Sequence, residues 1–289
     1  MIFFYYFLIA FSIVGYGYLF SNFLKIKIFN FGIFGLVGIF FLTFVALLTS
    51  LFISHNHIFN LAVLIIGLLI FLKCFLLRIE KKNDLLLLLL VFSVLTIFIL
   101  NGKNHDDFPY YHFPYTYMLT QESHPIGIGI LNNGFRNPSS LFFFNSLFYF
   151  PKTDIFLIHL GSVFFLGFAN IFLLKNIFDK NSFKKNKFFN FINLIFFVYI
   201  NSLFVRLSEY GTDRGGQILI IIIFIILIFL INNQKNYYNR KNSDYIKFIF
   251  IIAGLVISLK PFYLIYLPLL FIFLLYKNLI KVFIEGRKI

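Results

Sequence analysis

Residues 29–51 read FNFGIFGLVGIFFLTFVALLTSL, without a charged side chain. A helix of about 20 apolar residues crosses the hydrocarbon core of a bilayer, which is about 30 Å thick. Similar apolar stretches recur along the chain, and backbone groups in lipid must be satisfied internally, which leaves only helices and closed barrels. The alternating pattern of barrel strands is absent. The segment therefore predicts an all-α, polytopic membrane protein.

The composition of the 289-residue chain points to the same class. Hydrophobic residues make up 60% of the chain, charged residues 12%, and the mean hydropathy is +0.90. A soluble domain has about a quarter of its residues charged. We therefore predict one membrane domain over residues 1–289, a helical bundle of about nine transmembrane helices. The predicted spans are Phe3–Leu19, Phe29–Leu51, Phe59–Leu77, Leu85–Leu100, Ile155–Leu174, Phe188–Phe204, Ile218–Ile231, Phe248–Leu259 and Phe262–Tyr276.

The loops between these spans alternate in charge. Basic residues concentrate at 25–27, 78–82, 175–187, 235–247 and 277–288, and by the positive-inside rule these segments face the cytoplasm. The amino terminus and the loop 101–153 then lie outside, and the carboxyl terminus lies inside. The loops predicted outside carry as many acids as cations, so the net charge of +14 belongs to the cytoplasmic side. The basic excess reflects orientation, and no nucleic-acid partner is predicted.

One polar segment, Asn101–Ser140, stands between two apolar regions of the chain. It contains Asp106, Asp107, Glu122 and Arg136 together with three of the six histidines, whereas the other polar residues are mostly basic loop residues. We expect this outer loop to contain short amphipathic helices and to carry the functional site.

The two adjacent acids are the first candidates for chemistry. Asp106 and Asp107 follow a predicted span closely and precede the aromatic run FPYYHFPY at 108–115. A carboxylate partly shielded from water is a candidate general base. The alternatives are two solvated loop acids, or an N-cap pair for the helix that follows. His112 is either a catalytic partner or a ring that hydrogen-bonds within a Tyr-rich interfacial helix.

A metal site is a second interpretation of the same loop. His105, Asp106, Asp107 and His112 are residue types that bind divalent ions. The loop lacks a pair of ligands at helical i, i+4 spacing, so a protein-held metal is the less favoured interpretation. No cofactor is identified from the sequence.

Three separate segments place cations on the predicted outer face. Arg136 lies in the turn sequence NGFRNP, Arg214 follows Glu209 and Asp213 in VRLSEYGTDRGGQ at 205–217, and Lys260 precedes Pro261. Arginine forms bidentate contacts with phosphate or carboxylate, and the two glycines beside Arg214 would let backbone approach a ligand. The simpler interpretations are snorkelling anchors and ordinary loop charges. We expect the three segments to converge on one anion-binding site.

These residues resemble the GT-C superfamily of integral membrane glycosyltransferases, and more closely a poorly characterised bacterial branch of it. The similarity lies in DFPYYH at 107–112, PIGIGIL at 125–131 and GFRNPSS at 134–140, and extends weakly to GTD at 211–213 and to Lys260; it covers about a fifth of the chain. The resemblance implies an inverting transferase in the bacterial plasma membrane. Its partners would be a polyprenyl-phosphate sugar donor, a glycan or lipid-linked acceptor on the outer face, and membrane lipids.

The resemblance implies that an aspartate of the first outer loop is the base, and the residue chemistry described above supplies the other candidates. The catalytic candidates are Asp107 as the base, with Asp106 and His112. The substrate-binding candidates are Tyr111, Arg136, Asn137, Glu209, Asp213, Arg214 and Lys260.

Two other functions place charges at a membrane boundary. A flippase or transporter of lipid-linked saccharides would be expected to bury ionisable residues at mid-membrane and to show internal repeats, and no convincing repeat is found. A polysaccharide polymerase would be expected to have a large late outer loop rich in arginine, which this sequence lacks. A purely structural membrane protein would not need Asp, His and Arg clustered in one loop.

Overall fold

The computed structural model describes residues 1–28, 30–76, 82–100, 106–153, 155–178, 187–203, 211–232, 240–268 and 270. Their regular structure is helical. The α-helices are α1 Ile2–Phe23, α2 Phe31–Ser50, α3 His57–Leu76, α4 Lys82–Leu100, α5 Phe113–Gln121, α6 Ser140–Ser146, α7 Gly161–Phe178, α8 Lys187–Leu203, α9 Asp213–Asn232 and α10 Arg240–Leu259. A π-helical turn covers Phe108–His112, and 3-10 turns cover Ile128–Ile130, Asn133–Phe135 and Pro261–Tyr266.

Six of these helices are long and apolar enough to cross a membrane, namely α1, α2, α3, α7, α9 and α10. The chain is an integral membrane protein. The predicted count of nine spans is not confirmed. In the described part of α4 the apolar stretch Asn83–Ile97 is shorter, and α8 has 17 residues. The predicted span Phe262–Tyr276 begins as the 3-10 helix Pro261–Tyr266, and its residues beyond 270 lie outside the described ranges.

Two helix boundaries differ from the predicted spans for identifiable reasons. The predicted span begins at Ile155, but helix α7 begins at Gly161. At that position the Gly161 N–H donates to Asn145 Oδ1 at 3.0 Å. Helix α10 begins at Arg240, well before Phe248, because Asn242, Ser243 and Asp244 near its start are buried, and Asp244 accepts a hydrogen bond from the Lys27 N–H at 2.9 Å. Hydropathy locates the apolar part of a helix, but it misses a polar turn whose side chains form hydrogen bonds within the protein.

Glycines bring the first three helices into backbone contact. A Cβ on Gly17 of α1 would overlap the Phe34 carbonyl of α2, and a Cβ on Gly38 of α2 would overlap the Ile13 carbonyl of α1. Gly15 lies in the same way against Gly67 of α3. Small residues allow close helix packing where lipid supplies no hydrophobic driving force. Helix α1 is therefore held tightly between α2 and α3.

Asparagine side chains join α7 to α8. Asn170 and Asn201 exchange two amide hydrogen bonds of 2.9 and 2.8 Å, and Asn176 donates to Asn193 at 3.3 Å. These pairs satisfy polar groups within otherwise apolar helices. They also fix the register of α8 against α7.

Contacts between helix ends divide the bundle into two ends. At one end Lys175 bonds Asp84 at 2.7 Å, and Lys247 donates to the Leu24 carbonyl at 3.1 Å. At the other end Ser140 bonds Ser258 at 2.9 Å, and Ser162 donates to the Gly211 carbonyl at 3.3 Å. We call these the basic end, which carries Lys27, Asp84, Lys175 and Asp244, and the loop end, which carries residues 106–153, Asp213 and Lys260.

Candidate functional site at the loop end

The loop helix, Phe108–Gln121, begins with a π-helical turn and continues as α5. Pro114 has no N–H to donate to the Tyr110 carbonyl four residues before it. That carbonyl accepts instead from Asn132 Nδ2 at 3.1 Å, and the Phe113 N–H donates to the Phe108 carbonyl. Proline thus creates an acceptor to which the later turn of the loop binds.

The turn that contains Asn132 supports Tyr111. Asn132 Oδ1 accepts from the Gly134 N–H at 2.8 Å, and a Cβ on Gly134 would overlap the Tyr111 ring. The glycine therefore leaves the space into which the tyrosine packs. Two stretches of the predicted outer loop, 108–112 and 132–135, form one unit around Tyr111.

Tyr111 connects the two halves of the candidate site. Its hydroxyl donates to Asp107 Oδ2 at 3.4 Å. Burial raises the pKa of Tyr111 above its ordinary value, and so do the charge and hydrogen bond of Asp107 and the charge of Asp213. Asp213 begins α9, more than a hundred residues later in the sequence, so the loop lies close enough to α9 for the two to interact electrostatically. Asp107 is partly buried, whereas Asp106 is exposed.

Asp213 is paired with Lys260. The Lys260 ammonium lies 2.6 Å from Asp213 Oδ1, and the two side chains are 46% and 49% exposed. Thr212 Oγ1 also donates to Asp213 Oδ1, at 3.3 Å, and the Tyr263 hydroxyl donates to the Asp213 carbonyl at 3.0 Å. We call Asp107, Tyr111, Asp213 and Lys260 the acid–lysine cluster.

The glycines that follow Asp213 serve packing. A Cβ on Gly215 would contact the Phe165 ring, and a Cβ on Gly216 would overlap the Tyr263 ring. Aromatic side chains fill the space beside both glycines, and the expectation that they let backbone approach a ligand stays a prediction. Sequence reasoning missed Tyr263 because it fell within a predicted span; its only signal was its position three residues after Lys260.

An apolar groove of about 270 Å³ lies beside the acid–lysine cluster. Helices α9 and α10 form its walls, and Tyr263, Tyr266, Leu267 and Leu270 close one side. Tyr263 belongs both to the groove lining and, through its hydroxyl, to the Asp213 hydrogen bonds. The other lining residues are all aliphatic or aromatic: Ile220, Ile223, Phe224, Leu227, Ile228, Ala253, Val256, Ile257, Tyr266, Leu267 and Leu270.

The remaining anion-binding candidates occupy different places. Arg136 is exposed and its Nε donates to the Gly129 carbonyl at 3.4 Å, and no hydrogen bond or ion pair between described residues joins it to Asp213 or Lys260. Asn137 is exposed beside it. Arg214 Nη1 donates to Gln217 at 3.3 Å within the first turn of α9. Glu209 lies outside the described residues.

His112 lies on the inner face of the loop helix. It is 5% exposed, and its ring centroid lies 4.4 Å from that of Tyr111 and 5.1 Å from that of Phe142. The hydroxyl of Thr116, one turn later, donates to its carbonyl at 2.8 Å. The His112 ring therefore packs against the Tyr111 ring on the buried side of the loop helix.

A second histidine, His55, lies in the loop between α2 and α3 and is not among the candidates from the sequence. His55 is fully buried; its Nδ1 lies 2.6 Å from Ser146 Oγ and its Nε2 2.9 Å from Thr49 Oγ1. Burial lowers the pKa of His55 to about 4. Asn60 donates to the carbonyls of His55 and Ser146 at 2.8 and 2.9 Å. This network anchors α6, and with it the end of the polar loop, to the glycine-packed helices.

The metal interpretation finds no cluster of ligands in the described ranges. Among those residues, no three His, Cys, Asp or Glu side chains come together closely enough to hold an ion. His105, one of the four potential ligands, falls outside them. Asp107 and Asp213 are instead engaged by a phenol and an ammonium group.

Comparison with known proteins gives a family without a stated activity. Neither a curated protein nor a solved structure matches the chain. One family model, described as Domain of unknown function (DUF8201), matches residues 1–286, which is nearly the whole sequence. The chain therefore belongs to the DUF8201 family.

Proposed function

We propose that this protein is an inverting membrane glycosyltransferase. It takes a sugar from a polyprenyl-phosphate-linked donor and transfers it to an acceptor hydroxyl on the outer face of a bacterial plasma membrane. The amino terminus and the loop end then face outward, and the basic end faces the cytoplasm, in accord with the positive-inside rule.

The observation that carries the proposal is the position of the Asp213–Lys260 pair beside the apolar groove. A lipid-linked donor combines a long hydrocarbon chain with an anionic phosphate at headgroup depth. The groove between α9 and α10 offers apolar surface for the hydrocarbon chain of the donor. Lys260 offers an ammonium group at one end of it, close to Tyr263 of the groove lining.

The exposure of the pair supports a role in binding. An ion pair between side chains that are nearly half exposed contributes only about 0–1 kcal/mol to stability. Exchanging the Asp213 carboxylate for a phosphate therefore costs little. Lys260 can then offset the charge that develops on the leaving phosphate. Arg214, in the first turn of α9, adds a second cation near this position.

The transfer step follows from this arrangement. The acceptor hydroxyl oxygen forms a bond to the anomeric carbon as the bond from that carbon to the phosphate oxygen breaks. The electron pair of the broken bond leaves with the polyprenyl phosphate, and Asp107 takes the hydroxyl proton as general base. Tyr111 holds the Asp107 carboxylate through its hydrogen bond. Attack from the side opposite the leaving phosphate inverts the anomeric configuration.

Donor binding provides the test. Lys260→Gln removes the ammonium group and keeps most of the side-chain length, and we expect it to weaken binding of a photoreactive polyprenyl phosphate by about tenfold, since a hydrogen bond to a charged group contributes about 1.5–3 kcal/mol. Lys152→Gln is the matched control, because Lys152 is also an exposed loop-end lysine. Binding is measured by crosslinking in proteoliposomes.

The location of the crosslink separates the possible results. Crosslinks from the lipid chain to residues 220–228 or 253–257 are expected. Equal donor affinity in both lysine variants, with crosslinks elsewhere, would mean that the phosphate is not held by Lys260 and that the donor assignment is wrong.

A further inference from the structure

A row of aromatic rings runs along the loop end from the residue next to Asp107. Successive ring centroids lie 5.8 Å apart from Phe108 to Phe113, 5.7 Å from Phe113 to Tyr117, 6.1 Å from Tyr117 to Tyr149 and 4.0 Å from Tyr149 to His57. These five rings come from three separate parts of the chain. We call them the aromatic row.

The aromatic row differs from the other aromatic residues of the loop helix. The rings of His112 and Tyr115 are buried, and both pack on Phe142. Tyr117 is 37% exposed, and the other four rings of the row are partly buried, with Phe108 and Phe113 lining a small pocket beside His112. The row is thus most accessible at Tyr117, and it continues from there through partly buried rings to the residue next to Asp107.

We propose that the aromatic row binds the acceptor of the reaction, and that this acceptor is a saccharide of several units. The proposal rests on the proposed function. The C–H groups on one face of a sugar ring pack against the negative face of an aromatic ring, and the hydroxyl and imidazole groups of Tyr117, Tyr149 and His57 can hydrogen-bond sugar hydroxyls.

The position of the row selects the acceptor rather than the donor. Phe108 directly follows Asp107, so a saccharide lying on the row can bring its terminal hydroxyl to the proposed base. The row shares no residue with the groove between α9 and α10. Donor and acceptor would therefore approach Asp107 from different sides, as a transfer between two bound molecules requires.

A membrane-facing aromatic belt is the competing explanation, because tyrosines are enriched at membrane interfaces. The chain contains no tryptophan, so a single Tyr117→Trp substitution introduces a unique fluorophore that retains an aromatic ring in the row. Tyr110→Trp is the matched control. Tyr110 lies on the same loop helix and is 63% exposed, but its ring packs on Tyr111 rather than on the row.

Two titrations of the purified protein in nanodiscs separate these explanations. The probes are cello-, chito- and manno-oligosaccharides from mono- to tetrasaccharide, and lipids brominated on the acyl chain close to the headgroup. We expect at least one oligosaccharide series to change the Tyr117→Trp emission, more tightly with increasing length, and to leave Tyr110→Trp unchanged. Brominated lipid should quench Tyr117→Trp no more than Tyr110→Trp.

Binding by alanine and phenylalanine variants completes the test. Saturation-transfer NMR should show about tenfold weaker oligosaccharide binding in Tyr117→Ala and Tyr149→Ala, and a smaller loss in Tyr117→Phe, which keeps the ring. The proposal is overturned if no oligosaccharide perturbs Tyr117→Trp, or if brominated lipid quenches it far more than Tyr110→Trp.

These measurements need neither the donor nor turnover. Loss of donor binding in Lys260→Gln with no saccharide effect at Tyr117 leaves the proposed donor site standing and removes this inference. The reverse result keeps the saccharide surface and removes the lipid-linked donor.

Discussion

Lysine–aspartate ion pairs occur at both ends of the bundle, and their surroundings differ. At the loop end Lys260 and Asp213 lie 2.6 Å apart and are 46% and 49% exposed. At the basic end Lys175 and Asp84 lie 2.7 Å apart, but the aspartate is only 13% exposed. Asp244, 3.7 Å from Lys247, is 3% exposed and also accepts the Lys27 N–H.

The distance between lysine and aspartate does not distinguish the two ends, whereas the exposure of the aspartate does. A buried carboxylate with backbone partners cannot be released without leaving polar groups unsatisfied. An open pair can exchange one partner for a ligand at little cost. Variants at the loop end should therefore change activity more than stability, and variants at the basic end the reverse.

The largest effect is expected at Asp107. Asp107→Asn removes the proposed base and should lower turnover by about 10²–10⁴-fold without a matching loss of donor binding. Turnover is measured in proteoliposomes with a lipid-linked sugar donor. Asp106→Asn is the control, since Asp106 is exposed beside it. A loss only in Asp106→Asn would exchange the roles of the two acids, and full turnover in both variants would refute a catalytic role for this loop.

Substitutions at the basic end should lower the stability of the protein. Asp244→Ala should lower the free energy of unfolding by about 2–3 kcal/mol, because it leaves the Lys27 N–H and the Lys247 ammonium without this buried partner. Asp213→Ala should cost less than about 1 kcal/mol. Unfolding by SDS in mixed micelles, followed by circular dichroism, compares the two. Equal losses of unfolding free energy in the two variants would contradict the expected difference between the basic end and the loop end.

A smaller loss of stability is expected at acidic pH. His55 is neutral and buried in the folded protein, with its pKa lowered to about 4 from an ordinary 6.5. Between these values the unfolded chain binds a proton that the folded chain does not, so stability falls as the pH falls below 6.5. The loss should be about 2 kcal/mol at about pH 5. The same unfolding assay across pH measures it.

His55→Gln is the control for the acid effect, because it keeps hydrogen-bonding groups and cannot titrate. Its stability should be lower than that of the wild type at neutral pH, and its pH dependence should be flatter between pH 6.5 and 4. An unchanged slope in this variant would assign the acid sensitivity to other groups.

The apolar pattern of the sequence located the helices but not all of their ends. Each of the first eight predicted spans overlaps a helix, because residues that prefer lipid form continuous stretches. The burial of Asp244, which extends α10 to Arg240, depends on Lys27, far away in the sequence. The change from α to 3-10 helix at Pro261 likewise follows from local backbone chemistry that hydropathy does not record.

The site could be predicted only as a set of segments. Charge alternation indicated that Asp213 and Lys260 share a side of the membrane with the loop, and the structure pairs them directly. It does not bring Arg136 into that pair, since a turn residue's side-chain direction depends on contacts such as that with Gly129. Tyr263 could not be distinguished from lipid-facing aromatics, because its role comes from the Asp213 carbonyl and Gly216.

The reciprocal amide pair between Asn170 and Asn201 makes the position of α8 depend on α7. Helix α8 carries asparagines at 190, 193 and 201. Asn170 bonds Asn201, and Asn176 bonds Asn193. Interhelical hydrogen bonds of this kind contribute about 0.6–2 kcal/mol in lipid. Loss of the Asn170 amide would leave Asn201 without its partner on α7, so α8 would separate from α7 more readily.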